Sequence, residues 1–157
     1  MSNKKDIRLL SLNDLIFFCK ENKLPEYRAK QIYEWLWKKN VKSFDDMSSI
    51  AQKTRNMLND IFWINHINIY SKNKSKDNTI KYGLRLHDKH LIEGVLIPSK
   101  KRITACISSQ AGCSLSCNFC ATGKLTLKRN LTTSEIYDQV YLLNEESIEH
   151  FEKPITN

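Results

Sequence analysis

Three cysteines, Cys113, Cys117 and Cys120, fall on one short loop at the spacing C-x3-C-x2-C, with Phe119 just before the last. Thiolates are the ligands of iron–sulfur clusters. Three ligands on one loop would leave one iron of a [4Fe–4S] cluster without a protein ligand. An open coordination position of that kind can take a substrate, as it does in catalytic metal centres. The alternative is a structural zinc site, with Cys106 or a histidine as the fourth ligand. Zinc ligands usually come as C-x2-C pairs, and this spacing differs.

Two further residues carry possible chemistry. Glu93 lies among Ile92, Val95, Leu96 and Ile97. A carboxylate in so apolar a strand is costly to bury unpaired, so it is either an edge-strand residue facing water or a functional acid. Apolar surroundings raise a carboxyl pKa, which would suit a proton acceptor near neutral pH. Cys106 stands seven residues before the cysteine loop. As a free thiol in a strand it reads as a small buried apolar residue or as a reactive group. Cys19 is read as core.

The elements that position these residues follow from periodicity. Ser11 can cap a helix through Leu12, Leu15, Ile16 and Cys19. Pro25 suits a first helical position, ahead of Ala29, Ile32, Tyr33 and Leu36. A third helix is expected near Ser48, with Ile50, Ala51, Met57, Leu58, Ile61 and Phe62 as its stripe. Aromatic residues are dense here and read mainly as core, with RNA stacking as the alternative. The pattern then changes to alternation at Ile67 and Ile69, and again at Ile80, Tyr82, Leu84 and Leu86. Lys72–Asn78 reads as a polar loop and Asp88-Lys89 as a turn. Leu91–Ile97 and Ile103–Ser108 read as strands, the second running into the cysteine loop. Thr132-Thr133-Ser134-Glu135 matches a capping box, with Ile136, Val140 and Leu143 as one helical face. Lys153–Asn157 resembles the approach to a further strand.

Strand, functional loop, helix is the opening unit of an α/β barrel, whose sites lie at the C-terminal ends of strands. The expected class is therefore mixed α+β and α/β. Residues 1–63 would form a helical accessory domain, 64–102 a strand and hairpin region, and 103–157 the first β/α unit of a barrel.

Composition agrees with a globular chain: 157 residues, 41% hydrophobic, 27% charged. Lys plus Arg total 25 against 17 Asp plus Glu, a net charge of +8. Between Ser71 and Arg102 nine basic residues face three acidic ones, which suits a phosphate backbone or a solvated face. No apolar run approaches the roughly 20 residues of a membrane span, and no signal peptide is recognisable. The cysteines are accordingly read in the reducing cytoplasm.

The stretch Thr104–Gly123, with Lys128–Ile136 downstream and Pro25–Trp35 upstream, resembles the dual-specificity RNA methyltransferases of the RlmN family, which are radical S-adenosylmethionine enzymes. The resemblance covers essentially the whole chain. It implies a [4Fe–4S] cluster on Cys113, Cys117 and Cys120, with S-adenosylmethionine on the open iron. It implies formation of 2-methyladenosine in 23S ribosomal RNA and transfer RNA, fed by a reducing electron donor and without membrane attachment. In such a reaction a cysteine near the family's C-terminus carries the methyl group, Glu93 accepts the C2 proton, and Cys106 releases the RNA adduct as a disulfide forms. The helical segment would contact RNA. The related C8 methyltransferases and a non-catalytic RNA-binding remnant are the competing readings. The chain ends before the family's Gly-rich cofactor segment and its methyl-carrying cysteine, so these residues are expected to be an N-terminal portion, inactive alone.

Overall fold

The computed structural model describes residues 4–115 and 125–157, in two compact units, Met1–Asn65 and His66–Asn157. Cys117 and Cys120 lie outside the described residues.

The first unit is helical. Helix α1 (Leu12–Glu21) starts at Ser11, whose hydroxyl accepts from the Asp14 N–H while the Asp14 carboxylate accepts from the Ser11 N–H. This reciprocal cap satisfies two donors that the first helical turn leaves unpaired. Helices α2 (Tyr27–Trp37) and α3 (Gln52–Ile61) follow. Leu15, Cys19, Ala29, Ile32, Leu36 and Leu58 bury their spaced faces in one core. Burial raises the pKa of the Cys19 thiol, consistent with a core role. Two elements differ from the sequence expectation. Pro25 lies ahead of α2, and Ile50 and Phe62 are buried but flank α3 rather than belong to it. Phe62 sits in β2 (Phe62–Trp63), which pairs in parallel with β1 (Lys5–Asp6). That pairing closes the unit. The Asp6 carboxylate accepts from the N–H groups of Arg8 and Asn65, and Arg8 lies 4.7 Å from the Trp37 ring centre.

The second unit is a four-stranded antiparallel sheet, with α4 (Thr133–Phe151) packed against it. The spatial order is β3 (Asn68–Lys74), β4 (Ile80–Arg85), β5 (Leu91–Pro98), β6 (Ile103–Cys106). One face is apolar: Ile80, Tyr82, Leu84, Ile92 and Leu96 are buried with Leu143 of α4. Gly94 permits this approach, since a Cβ there would lie 3.1 Å from Leu143 and 3.3 Å from Leu84. The opposite face carries Lys81, Gly83, Arg85, Glu93 and Cys106, set by the two-residue alternation of strands.

Asp88-Lys89 forms the expected turn, with Lys89 at φ +70°. The Lys72–Asn78 segment is only partly a loop, because β3 continues through Lys74 as the edge strand. Lys72 pairs with Glu146 of α4, and the charged edge resists further pairing. Helix α4 begins with the expected capping box at Thr132 and Glu135. Its buried side is more polar than expected: Ser134, Glu135, Asp138, Gln139 and Ser147 are buried with Leu143, while Val140 is 43% exposed. Beyond α4, the Thr156 N–H donates to the Ile103 carbonyl and the Ala105 N–H to the Asn157 carbonyl. The last residues thus run beside β6, as the sequence anticipates. No described helix is long and apolar enough to cross a membrane.

Candidate functional site

Glu93 is the third residue of β5, opposite Gly83, on the face away from α4. Strand β5 is an interior strand, although its pairing with β6 covers only Val95–Pro98, so Glu93 has a strand partner on the β4 side alone. Its surroundings are not purely apolar. Its side chain is 55% exposed and 2.6 Å from the Lys81 ammonium. Cys106 ends β6, exposed, with Val95 of β5 as its register partner. Both side chains line a cavity of about 660 Å³, together with Tyr70, Ser108 and Leu125. Two strands therefore bring an acid and a thiol, thirteen residues apart in sequence, to one open pocket.

The cysteine loop leaves the sheet through β7 (Gln110–Ala111) and returns through β8 (Arg129–Asn130). These pair antiparallel, Ala111 opposite Arg129. Above them the Cys113 N–H donates to the Leu125 carbonyl at 3.1 Å. Gly112, at φ +78°, makes this closure possible: a Cβ there would collide with the Thr126 carbonyl, and the backbone conformation itself disfavours L side chains. Cys113 is half-buried, and the Leu115 N–H donates to its sulfur at 3.4 Å. A free thiol receiving a backbone N–H suits a cluster thiolate, whose charge such bonds stabilise. Among the described residues Cys19, Cys106 and Cys113 are all free, so the disulfide implied by the family resemblance has no support here.

The limbs of the loop are held by side chains that the sequence pattern does not single out as a site. Arg129 donates from Nη1 and Nη2 to the two Glu135 oxygens, each at 2.8 Å, and from Nε to Asp88 at 2.6 Å. Glu135 is fully buried. One guanidinium thus ties the returning limb to the N-terminus of α4 and to the β4–β5 turn. The hydrogen bonds to Glu135 raise the Arg129 pKa against the opposing effect of burial. Burial alone would raise the Asp88 carboxyl, but hydrogen bonds from Arg129 and His90 outweigh it and hold it well below the usual carboxylate range. On the outgoing limb, buried Gln139 accepts from the Ser108 N–H at 2.8 Å and donates to the Ser108 carbonyl at 2.9 Å. The Ser108 hydroxyl in turn donates to the Glu93 carbonyl at 2.9 Å. Arg129 lies within the recognisable Lys128–Leu131 stretch, which offered a signal. Gln139 offered none.

Residues 6–64 match the family model described as the ribosomal RNA large subunit methyltransferase N-terminal domain. The chain is 51% identical over 154 residues to a probable dual-specificity RNA methyltransferase RlmN of Cytophaga hutchinsonii, covering 98% of the chain and 42% of that relative. It is 41% identical over 147 residues to a dual-specificity RNA methyltransferase RlmN of Desulfotalea psychrophila, covering 90% and 41%. The crystal structure of a radical SAM methyltransferase from Sphaerobacter thermophilus superposes with a TM-score of 0.79 at 31% identity, over 98% of this chain and 45% of that one. The chain spans less than half the length of the curated relatives it matches. The helical unit thus matches the family's N-terminal domain model, and the chain as a whole is similar to the N-terminal portion of dual-specificity RNA methyltransferases RlmN.

Proposed function

We propose that this chain supplies the RNA-facing and cluster-binding portion of an enzyme that methylates C2 of adenine in 23S ribosomal RNA and in transfer RNA. The observation that carries the reading is the convergence of Glu93 and Cys106, from neighbouring strands, on one open cavity beside the cysteine loop. The names of the relatives support the RNA substrate and the methyl transfer.

Cys113, Cys117 and Cys120 would hold a [4Fe–4S] cluster whose remaining iron is open to S-adenosylmethionine. When bound, that pair supplies one-electron chemistry able to act on a C–H bond, with electrons from an external reducing donor. The half-buried Cys113 thiol and its N–H donor fit that role. Within the chain, Glu93 would take the proton that leaves C2. Its carboxylate is held ready by the Lys81 ammonium, which must yield as a substrate base enters. Ser108 fixes the Glu93 backbone, so the acid sits at a set height above the pocket floor. Cys106 faces the same cavity and would supply the thiol that releases the methylated base. The helical unit would add RNA contacts outside the pocket.

Anaerobic reconstitution with iron and sulfide, followed by electron paramagnetic resonance of the reduced sample, tests the reading. A [4Fe–4S] signal that shifts when S-adenosylmethionine is added is expected. A zinc-loaded or metal-free chain under the same conditions would overturn the cluster assignment. In the protein of full family length, Glu93→Gln should abolish 2-methyladenosine formation, read by mass spectrometry of digested RNA, while leaving the cluster signal unchanged.

A further inference from the structure

The edge strand β3 is irregular beside the cavity. Its register runs Ile69 opposite Leu84, then Ser71 opposite Gly83, leaving Tyr70 without a partner of its own. A bulge of this kind re-aims a side chain out of strict alternation, and bulges concentrate next to active sites. Here Tyr70 and Ser71 both line the cavity that Glu93 and Cys106 share. Gly83 leaves room for the Ser71 hydroxyl in the rotamer it adopts here, since a Cβ would collide with that oxygen.

The Tyr70 residue is 60% exposed, and the Arg85 guanidinium lies 5.5 Å from its ring centre. An aromatic in the core would be covered, whereas this one stands at the pocket rim with a cation against it. Arg85 and Lys81 occupy alternate positions of β4 on the same open face. Leu91 and Ile97 on that face are 51% and 42% exposed. The face therefore joins a flat ring, apolar surface and cations. Unpaired nucleobases are held by stacking on aromatic rings and guanidinium planes. A guanidinium against a ring also keeps its in-plane donors for a phosphate. Lys81 is paired with Glu93, while Arg85 has no carboxylate partner on this face among the described residues. The surrounding Ser71–Arg102 stretch is basic by nine residues to three, which favours a polyanion over a protein segment as the occupant.

We propose that Tyr70 and Arg85 form a stacking platform for an unpaired RNA base next to the base that enters the Glu93 cavity. Tyr70 supplies the ring face and Arg85 a contact to the adjoining phosphate. The proposal rests on the RNA-modifying function above and names a contact that positions the substrate outside the reacting atoms.

The test is fluorescence anisotropy of a labelled, adenine-containing single-stranded RNA with the 157-residue chain. Tyr70→Ala should weaken binding about tenfold, whereas Tyr70→Phe should stay within about twofold and Tyr70→Trp should bind at least as well. The slope of log affinity against log salt should be unchanged in Tyr70→Ala but fall by about 0.7 in Arg85→Gln, one phosphate contact on a single strand. Wild-type binding with no loss in Tyr70→Ala would overturn the platform and leave the RNA-modifying function standing. Equal losses in Tyr70→Ala and Tyr70→Phe would assign the effect to the hydroxyl and also overturn it. No RNA binding by the wild-type chain at any salt would overturn both.

Discussion

Replacing Arg129 by methionine should be among the most damaging single changes in the second unit. Glu135 is fully buried and receives two hydrogen bonds of 2.8 Å from Arg129. Without the guanidinium, its carboxylate keeps the Thr132 N–H at 2.9 Å and lies 3.4 Å from His87 Nδ1. Neither replaces a full positive charge. Removing one partner of a buried pair costs about 3–5 kcal/mol, because the other charge stays behind without compensation. Arg129→Lys keeps the charge but not the planar fork. It should cost about 1.5–3 kcal/mol, one charge-assisted hydrogen bond. Adding Glu135→Gln to Arg129→Met should recover most of the loss, since the amide oxygen can still cap α4 without a stranded charge. Urea unfolding followed by far-ultraviolet circular dichroism measures these differences. Trp35, Trp37 and Trp63 all lie in the first unit, so tryptophan emission reports on that unit separately from the backbone signal. The pH dependence is also fixed in sign. Asp88 titrates below its ordinary value in the folded chain, so its contribution is fully present above the unfolded value of about 4 and drains away as pH falls through the depressed folded value. The Arg129→Met penalty should therefore shrink below about pH 4. A loss under about 1 kcal/mol at neutral pH would refute the claim that this guanidinium compensates a buried carboxylate. Iron content after reconstitution should fall in parallel, because Arg129 also holds the returning limb of the cysteine loop.

Gly112→Ala forces an L residue to φ +78° against the Thr126 carbonyl, at about 1–3 kcal/mol of backbone strain before the collision is counted, and should reduce iron uptake measured by sulfide and iron assay. Gln139→Leu leaves the Ser108 N–H and carbonyl without their shared partner. About 1–3 kcal/mol per unpaired group is the expected cost, with faster amide hydrogen exchange at Ser108 as the local signature. Leu143→Ala opens a cavity where α4 meets Gly94 and Leu84, and should cost about 2–5 kcal/mol by urea unfolding.

Local chemistry made much of this protein readable from its residues alone. The caps at Ser11 and Thr132 are short-range hydrogen-bond patterns, so they appear in sequence as they do in space. The alternation of Ile80, Tyr82 and Leu84 states which face of β4 is buried, because strand side chains repeat every two residues. The cysteine spacing is likewise local, so the expectation of a cluster could be formed from sequence alone. Glu93 could be picked out as an anomaly, but not interpreted. Whether its strand is an edge or an interior one depends on pairing with residues that precede and follow it by ten or more positions.

The contacts that join distant segments could not be read along the chain. The lysines of β3 read as loop because propensity is local, whereas pairing with β4 fixes them in a strand. The polar side of α4 defeats a periodicity argument, because Gln139 and Glu135 are buried to satisfy backbone and guanidinium groups some distance away in the chain. Glu93 and Cys106 meet in one cavity only because β5 and β6 lie side by side. Helix caps, strand alternation and the cysteine spacing could be read along the chain, since these rest on near neighbours in sequence. The pocket, the bulge that places Tyr70 and the Arg129 tie were decided in three dimensions, since each is a property of segments brought together by the sheet.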